Sequence, residues 1–358
     1  MRFIRKTRYA QDIALFRHNG QRFWYALLGV LVVAAPLALD DFYLGEMAQV
    51  YIYAIAGIGL MILVGYTGLV SLGHAAFLAI GAYAQAWLLT RGWPFPLALG
   101  GAALLTAATG AAVALPVMRM TGIYLAVATL AFAVIVEQVI VHWASVTGGF
   151  SGMLVPGADF AGMDLASPRA FYWLCLGVLA AALLLAANLL RSPSGRALVA
   201  VRDSEVSAAS MGIHLIRTKT LAFGLSAGFT GLGGALFAHK IGYLAPDAFT
   251  LQLSIMLLLM VVVGGLGSLH GVVFGAVFIG LLPQGLALLR DTVPPAVAQI
   301  PGLEPGVFGA ILVLVLIYEP QGMYGRWCKI RAYFSEFPLY RRATYKRQKR
   351  YLRTERLQ

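Results

Sequence analysis

The sequence predicts an all-α polytopic membrane protein of about ten transmembrane helices, with glycine-broken hinges and both termini in the cytoplasm. Three observations carry this expectation. The chain is 60% hydrophobic and only 12% charged, with a mean hydropathy of +0.79. Apolar runs of about 16 to 22 residues recur along it, each able to cross a hydrocarbon core as a helix. Its cations are clustered: of 27 Lys and Arg, six precede Trp24, five lie between Arg191 and Lys219, and eleven follow Pro320. Loops facing the cytoplasm collect Lys and Arg, so both termini and the central loop belong on that side. The net charge of +12 therefore reflects topology, not a nucleic-acid partner, and a soluble protein is excluded.

A basic cytoplasmic segment, residues 1–23, opens the chain. It is long for a signal peptide and no small-x-small cleavage site follows, so the first helix is expected to remain as an uncleaved anchor. Within the transmembrane domain, 24–318, the expected spans are 24–39, 46–64, 74–89, 97–118, 122–142, 170–190, 220–238, 251–263, 269–289 and 306–318. This even number places Asp40 and Asp41 and the segments 91–96, 143–169, 239–250 and 290–305 outside. Arg119 and the central loop fall inside, and Arg91, outside, is a cation against the rule. The basic tail, 319–358, carries eight Lys or Arg against Glu355 alone from Leu339 onward. Such a segment beside a membrane contacts anionic lipid more often than nucleic acid.

Two apolar stretches are broken by glycine: Gly65-Tyr-Thr-Gly-Leu-Val-Ser-Leu-Gly73 and Gly264-Gly-Leu-Gly-Ser-Leu-His-Gly271. Each follows an inward-running span and precedes an outward-running one, the weak symmetry of a duplicated transporter half. Ordinary tight turns at the membrane surface would read the same way. Breaks of this kind expose amides that can meet an anionic group, so Gly68, Ser71, Gly73, Gly264, Gly265 and Gly267 are candidate pathway or gate residues. His74 can line an inner gate or cap the third span. Glu137, within an apolar span, should face other helices or water because a carboxylate is costly in lipid. It is either a pathway residue or a structural hydrogen-bonding group. Thr147–Gly152 is an external loop that can meet an outside partner.

The central loop, 191–219, is the long polar island in the middle of the chain. Ser192-Pro193-Ser194-Gly195 reads as a turn, and Arg196–Met211 as one or two short helices with Gly212 just past the end. Glu205, Ala208, Ala209 and Gly212 fall at helical spacing beside Arg202, Asp203 and Arg217. Small residues next to charges suit insertion into a groove on another protein, although a solvated connector would look similar.

Five separated stretches give the loop its context: VGYTGLVSLGHAAFLAIGAYA (Val64–Ala84), GIYLAVATLAF (Gly122–Phe132), TGGFSGM (Thr147–Met153), SGRALVAVRDSEVSAASMGI (Ser194–Ile213) and VVGGLGSLHGVVFGA (Val262–Ala276). Together, in order, they resemble the LivM-type permease of branched-chain amino acid ABC importers. Glu205, Ala208, Ala209 and Gly212 resemble the Glu-Ala-Ala, three residues, Gly coupling motif of such permeases, with Glu205 displaced from its usual spacing. The resemblance implies ATPase-coupling residues at Arg202, Asp203, Glu205, Ala208, Ala209 and Gly212. It also implies an inner-membrane importer built with a LivH-type second permease, two cytoplasmic ATPases and an external solute-binding protein. Substrates implied are branched-chain or related hydrophobic amino acids, with urea, amides and aromatic or organic acids as alternatives.

The chain has no GxxxxGK[ST] phosphate loop, so no cofactor is expected in it; ATP and magnesium would be used by the partner ATPases. It also lacks paired carboxylates, a Ser/His/Asp set and metal-spaced His or Cys. Cys175 and Cys328 lie in a span and in the tail, too far apart in depth for a disulfide. An enzyme is thus not expected. An ion-gradient-driven transporter coupled through Glu137, or a channel, is the other function class.

Overall fold

The computed structural model describes residues 19–117, 120, 122–157, 159–160, 163–164, 167–292, 303–319 and 321–336. Most of the basic N-terminal segment, Arg119 and the tail from Leu339 lie outside the described residues, and so does part of the expected external segment 290–305. A helix covers most of each of the ten segments expected as spans: α1 (Asn19–Ala38), α2 (Asp41–Leu60), α3 (His74–Thr90), α4 (Phe95–Val117), α5 (Ile123–His142) and α6 (Pro168–Arg191), then α9 (Leu215–Ile241), α10 (Leu251–Gly264), α11 (Leu269–Thr292) and α12 (Leu303–Tyr318). Between α6 and α9 lie α7 (Pro193–Asp203) and α8 (Glu205–Ser210), and α13 (Gly322–Glu336) follows α12.

Among the described residues, six helical segments are long and apolar enough to cross a membrane: 41–65, 95–117, 123–142, 168–191, 215–241 and 246–264. The apolar stretches Arg22–Ala38, Leu269–Gly285 and Gly306–Val315 are shorter, and α3 has 17 residues. The protein is a mostly helical polytopic membrane protein, with six long candidate spans and several shorter apolar helices among the described residues.

The expectation of a wholly helical chain needs one correction. Loop backbone outside helices must still satisfy its polar groups, and here two short antiparallel pairs do so. β1 (Met153–Leu154) pairs with β4 (Tyr243–Leu244), Met153 facing Leu244, while β2 (Asp159–Phe160) pairs with β3 (Met163–Asp164). The Ser192–Gly195 stretch also differs from the turn expected. Ser192 caps α7, its Oγ accepting from the Gly195 amide at 3.3 Å, and Pro193 takes the first helical position, where its missing N–H costs nothing.

Helices α2 and α9 form the buried centre. Helix α2 carries Leu44, Ile52, Ile55, Ile58 and Leu60 with no exposed surface. It packs on α6, α9, α10 and α11, while α9 also packs on α3 and α4. The α9 sequence GLSAGFTGLGGA explains this placement: without a hydrophobic drive between helices in lipid, small residues allow close approach and dispersion contact. A Cβ on Gly81 of α3 would sit 2.2 Å from the Gly231 carbonyl oxygen, and one on Gly234 would sit 2.0 Å from the Leu78 carbonyl oxygen. The two helices therefore touch backbone to backbone.

Such contact leaves no room for a side chain. Gly234→Leu is expected to force α3 from α9 and to lower stability by at least about 1–3 kcal/mol, read as a lower unfolding temperature in detergent, whereas Gly285→Ala, with open space around its Cβ position, should leave it unchanged.

Candidate coupling site at two glycine breaks

Helix α2 loosens into a π-helical turn, Met61–Gly65, before its path breaks. Gly68 then takes φ +71°, and α3 begins at His74. The second break follows α10, where Gly265 and Gly267 adopt φ +119° and +79° before α11 begins. Both conformations are ones that side chains disfavour. The breaks, distant in sequence, meet in space: the Gly267 amide lies 3.1 Å from the Met61 Sδ, and a Cβ on Gly65 would come within 2.8 Å of that same amide nitrogen.

Interrupted helices leave backbone groups that need partners, and in a membrane protein those partners must be internal. Here they come from other elements. Thr129 Oγ1 of α5 accepts from the Leu72 amide at 3.0 Å, and Ser254 Oγ of α10 accepts from the Ala75 amide at 2.9 Å. The Arg202 guanidinium donates to the Gly65 carbonyl oxygen at 2.9 Å. His74, fully buried, links Ser71 Oγ at 3.1 Å with Ser226 Oγ of α9 at 2.9 Å. Gly73 lies against the Thr129 backbone, and Gly264 against that of Gly271, where a Cβ would be 2.0 Å from the carbonyl oxygen.

Arg202 belongs to the polar island. It lies in the last turn of α7, and its methylenes rest on Gly68, 3.2 Å from where a Cβ would be. Its Nη1 lies 3.5 Å from the corresponding position on Gly267. One side chain thus touches both breaks. Asp203 steadies it, Oδ1 accepting from Nε at 3.1 Å and Nη2 at 3.0 Å. Ser204 then caps α8 by accepting from the Ser207 amide at 3.2 Å, and Gly212, at φ +81°, closes it.

Within α8, Glu205 pairs with Lys219 at 2.7 Å. The Lys219 side chain is only 6% exposed, that of Glu205 39%. Ala208 is buried against the body of the protein, whereas Ala209 and Gly212 face outward with Val206 and Met211, which are 83% and 86% exposed. Two bare apolar side chains beside small residues form a surface suited to a groove.

Glu137 lies apart from this cluster, on α5 among exposed Val134, Ile135 and Val139. Thr147 is buried, its hydroxyl donating to the Ile140 carbonyl oxygen at 2.6 Å, and Phe150 projects outward. Several participants were not singled out from sequence: Met61, Thr129, Lys219, Ser226, Ser254 and Tyr324, whose Cβ lies 3.1 Å from a Cβ position on Gly265. For the hydroxyl residues the available signal was their isolation within apolar helices. Beyond α12, Glu319 accepts a hydrogen bond from Arg326, which holds its carboxyl below the usual carboxylate range.

A bundle of apolar helices with paired internal breaks, and a polar loop reaching both, defines a polytopic membrane permease. The chain belongs to the family described as branched-chain amino acid transport system / permease component, whose model matches residues 42–316. Over 85% of its length it is 33% identical to the high-affinity branched-chain amino acid transport system permease protein LivM of Salmonella typhimurium, covering 75% of that protein. It is 25% identical to the probable LivM of Methanocaldococcus jannaschii, over 76% of this chain and 90% of that one. It is 29% identical to the autoinducer 2 import system permease protein LsrC of Enterobacter sp., over 74% and 77%. No solved structure matches. The chain is thus a multi-pass, inner-membrane permease component of a branched-chain amino acid ABC transport system and not itself an enzyme. Such an importer permease implies an ATPase and a binding protein as partners.

Glu205→Ala would leave the Lys219 ammonium buried without its counter-ion, and should cost about 1–3 kcal/mol, held down by the half-exposed carboxylate. Adding Lys219→Met should recover most of that loss in thermal unfolding. An additive double mutant would show that the pair contributes nothing.

Proposed function

We propose that this chain forms half of the translocation path of an ATP-driven importer, with ten spans and both termini cytoplasmic. A LivH-type second permease supplies the other half, two cytoplasmic ATPases hydrolyse magnesium-bound ATP, and an external solute-binding protein delivers the solute. The basic tail lies on anionic lipid. The LivM relatives are named for branched-chain amino acid transport, which supports that substrate class. The LsrC relatives, named for autoinducer 2 import, keep other small polar solutes open, including urea, amides and aromatic or organic acids.

The observation carrying the mechanism is the Arg202 bond to the Gly65 carbonyl oxygen, beside Gly267. Helices α7 and α8 seat on an ATPase through Val206, Ala209, Met211 and Gly212. When the ATPases close on ATP they pull this loop, and Arg202 carries the displacement to both breaks at once. ATP binding acts by favouring one of two arrangements of the breaks, and its leverage is its differential affinity for them. Gly68–Gly73 and Gly264–Gly271 are the pathway elements next to this lever. The bare face of α5 turns Glu137 toward the second permease and the water-filled path, where a carboxylate is tolerated.

Arg202→Ala should reduce uptake about tenfold or more while the assembled importer still hydrolyses ATP, a loss within the usual range of coupling energies. Unchanged uptake would remove Arg202 from the mechanism. Affinity purification of the tagged chain should recover ATPases and a second permease, and scrambling Glu205–Gly212 should lose the ATPases. Vanadate-insensitive uptake by this chain alone under an ion gradient would instead favour a gradient-driven transporter coupled through Glu137.

A further inference from the structure

Helix α13 plays no part in the coupling just described, yet it is fixed to the second break. Its first residue, Gly322, lies so close that a Cβ would come within 2.5 Å of the Gly265 Cα. The Tyr324 ring stacks on His270 of α11, centroids 5.6 Å apart and planes 10° apart, and the His270 Nε2 lies 2.6 Å from the Tyr25 hydroxyl of α1. Trp327 meets Phe274 edge to face at 6.3 Å. A movement of α13 would therefore be felt at Gly265.

Beyond this seat the helix presents a mixed face. Trp327 and Ile330, one helical step apart, are 51% and 42% exposed. Arg326 and Arg331 lie on opposite edges of this ridge and are exposed, as is Lys329 farther round the helix. Glu319 engages Arg326 and, at 3.7 Å, Lys329, leaving the helix cationic. Only residues 319–321 separate α12 from α13, so the helix is held at the depth where the last span leaves the bilayer. From Leu339 onward the sequence adds eight more cations. Aromatic and aliphatic side chains flanked by Lys and Arg are the composition of a helix lying in a membrane interface.

We infer that α13 is an in-plane membrane anchor: Trp327 and Ile330 enter the acyl boundary, Arg326, Lys329 and Arg331 bind anionic headgroups of the cytoplasmic leaflet, and the seat on Gly265 ties the second break to the lipid surface. This rests on the cytoplasmic placement proposed above, but not on which partners assemble with the chain. Electrostatic attraction to an anionic leaflet acts on each cation and fades within a Debye length.

The experiment uses the full chain in vesicles without partners, carrying Ile330→Cys with Cys328→Ser, since Cys175 is buried. A nitroxide on the introduced thiol is tested for collision with oxygen and with a water-soluble nickel chelate. In vesicles containing phosphatidylglycerol the label should favour oxygen. In pure phosphatidylcholine, or with Arg326, Lys329 and Arg331 changed to Gln, nickel accessibility should rise at least about twofold, as expected when the electrostatic part of the attraction is removed. A label on the native, exposed Cys328 repeats the lipid comparison in the unaltered sequence. High nickel accessibility in both lipids would overturn the anchor, as would protection from both reagents, which would mean that another part of this chain, or a second copy of it, covers the face. In the assembled importer, uptake should depend on phosphatidylglycerol and the triple Gln variant should lose that dependence; uptake indifferent to lipid would overturn the tie to the hinge. Because depth is read without ATPases, failure of the importer assignment would leave the depth result standing.

Discussion

A helix interrupted at the end of an apolar bundle leaves backbone carbonyls and amides that its own ladder cannot satisfy, and this constraint organises the end of the protein where the two breaks meet. The chain breaks twice, at Gly65–Gly73 and Gly264–Gly271, and places the breaks in contact, with the Arg202 side chain lying against both. The Gly65 carbonyl oxygen is satisfied from outside the span by Arg202. The Leu72 and Ala75 amides are satisfied by Thr129 and Ser254 of two other helices. Each substitute bond ties a break to another element of the chain, which is the connection the proposed mechanism uses.

The centre of the bundle follows from a related limit. Lipid tails are as apolar as leucine, so apolar side chains gain little by leaving them for another helix, and close packing has to hold the bundle together. Helix α9 meets that need with Gly231 and Gly234 against α3 and with Gly59 of α2 against the Ser226 backbone. Small hydroxyls on the same helix, Ser226 and Thr230, add bonds to His74 and to the Ala56 carbonyl oxygen. A close-packed α2–α3–α9 unit is thereby set beside the breaks.

Much of the architecture was legible in the sequence. Helix positions depend on local apolar runs and on glycine and proline punctuation, which is why a helix covers most of each segment expected as a span and why Gly212 ends α8 as its position suggests. Other features were not legible. The strand pairing of Met153 with Leu244 joins segments far apart in sequence, and no local pattern encodes such a partner. Lys219 reads as a charge at the start of a span, with nothing to indicate that Glu205 would pair with it in a buried site. Arg202 was marked as part of a docking motif, but its bond to Gly65 depends on how α7 is laid across the end of the bundle.

By itself the sequence determined the polytopic class, the positions of the helices, the two breaks and the polar island, because each is written in composition and spacing over a few turns. Tertiary structure alone decided that the breaks touch, that Arg202 reaches both, that His74 is a buried tether, and that α13 sits on Gly265. The physical reason is range: hydropathy and glycine act on neighbours in the chain, whereas the bonds that replace a broken helix's own are made between residues brought together only by packing.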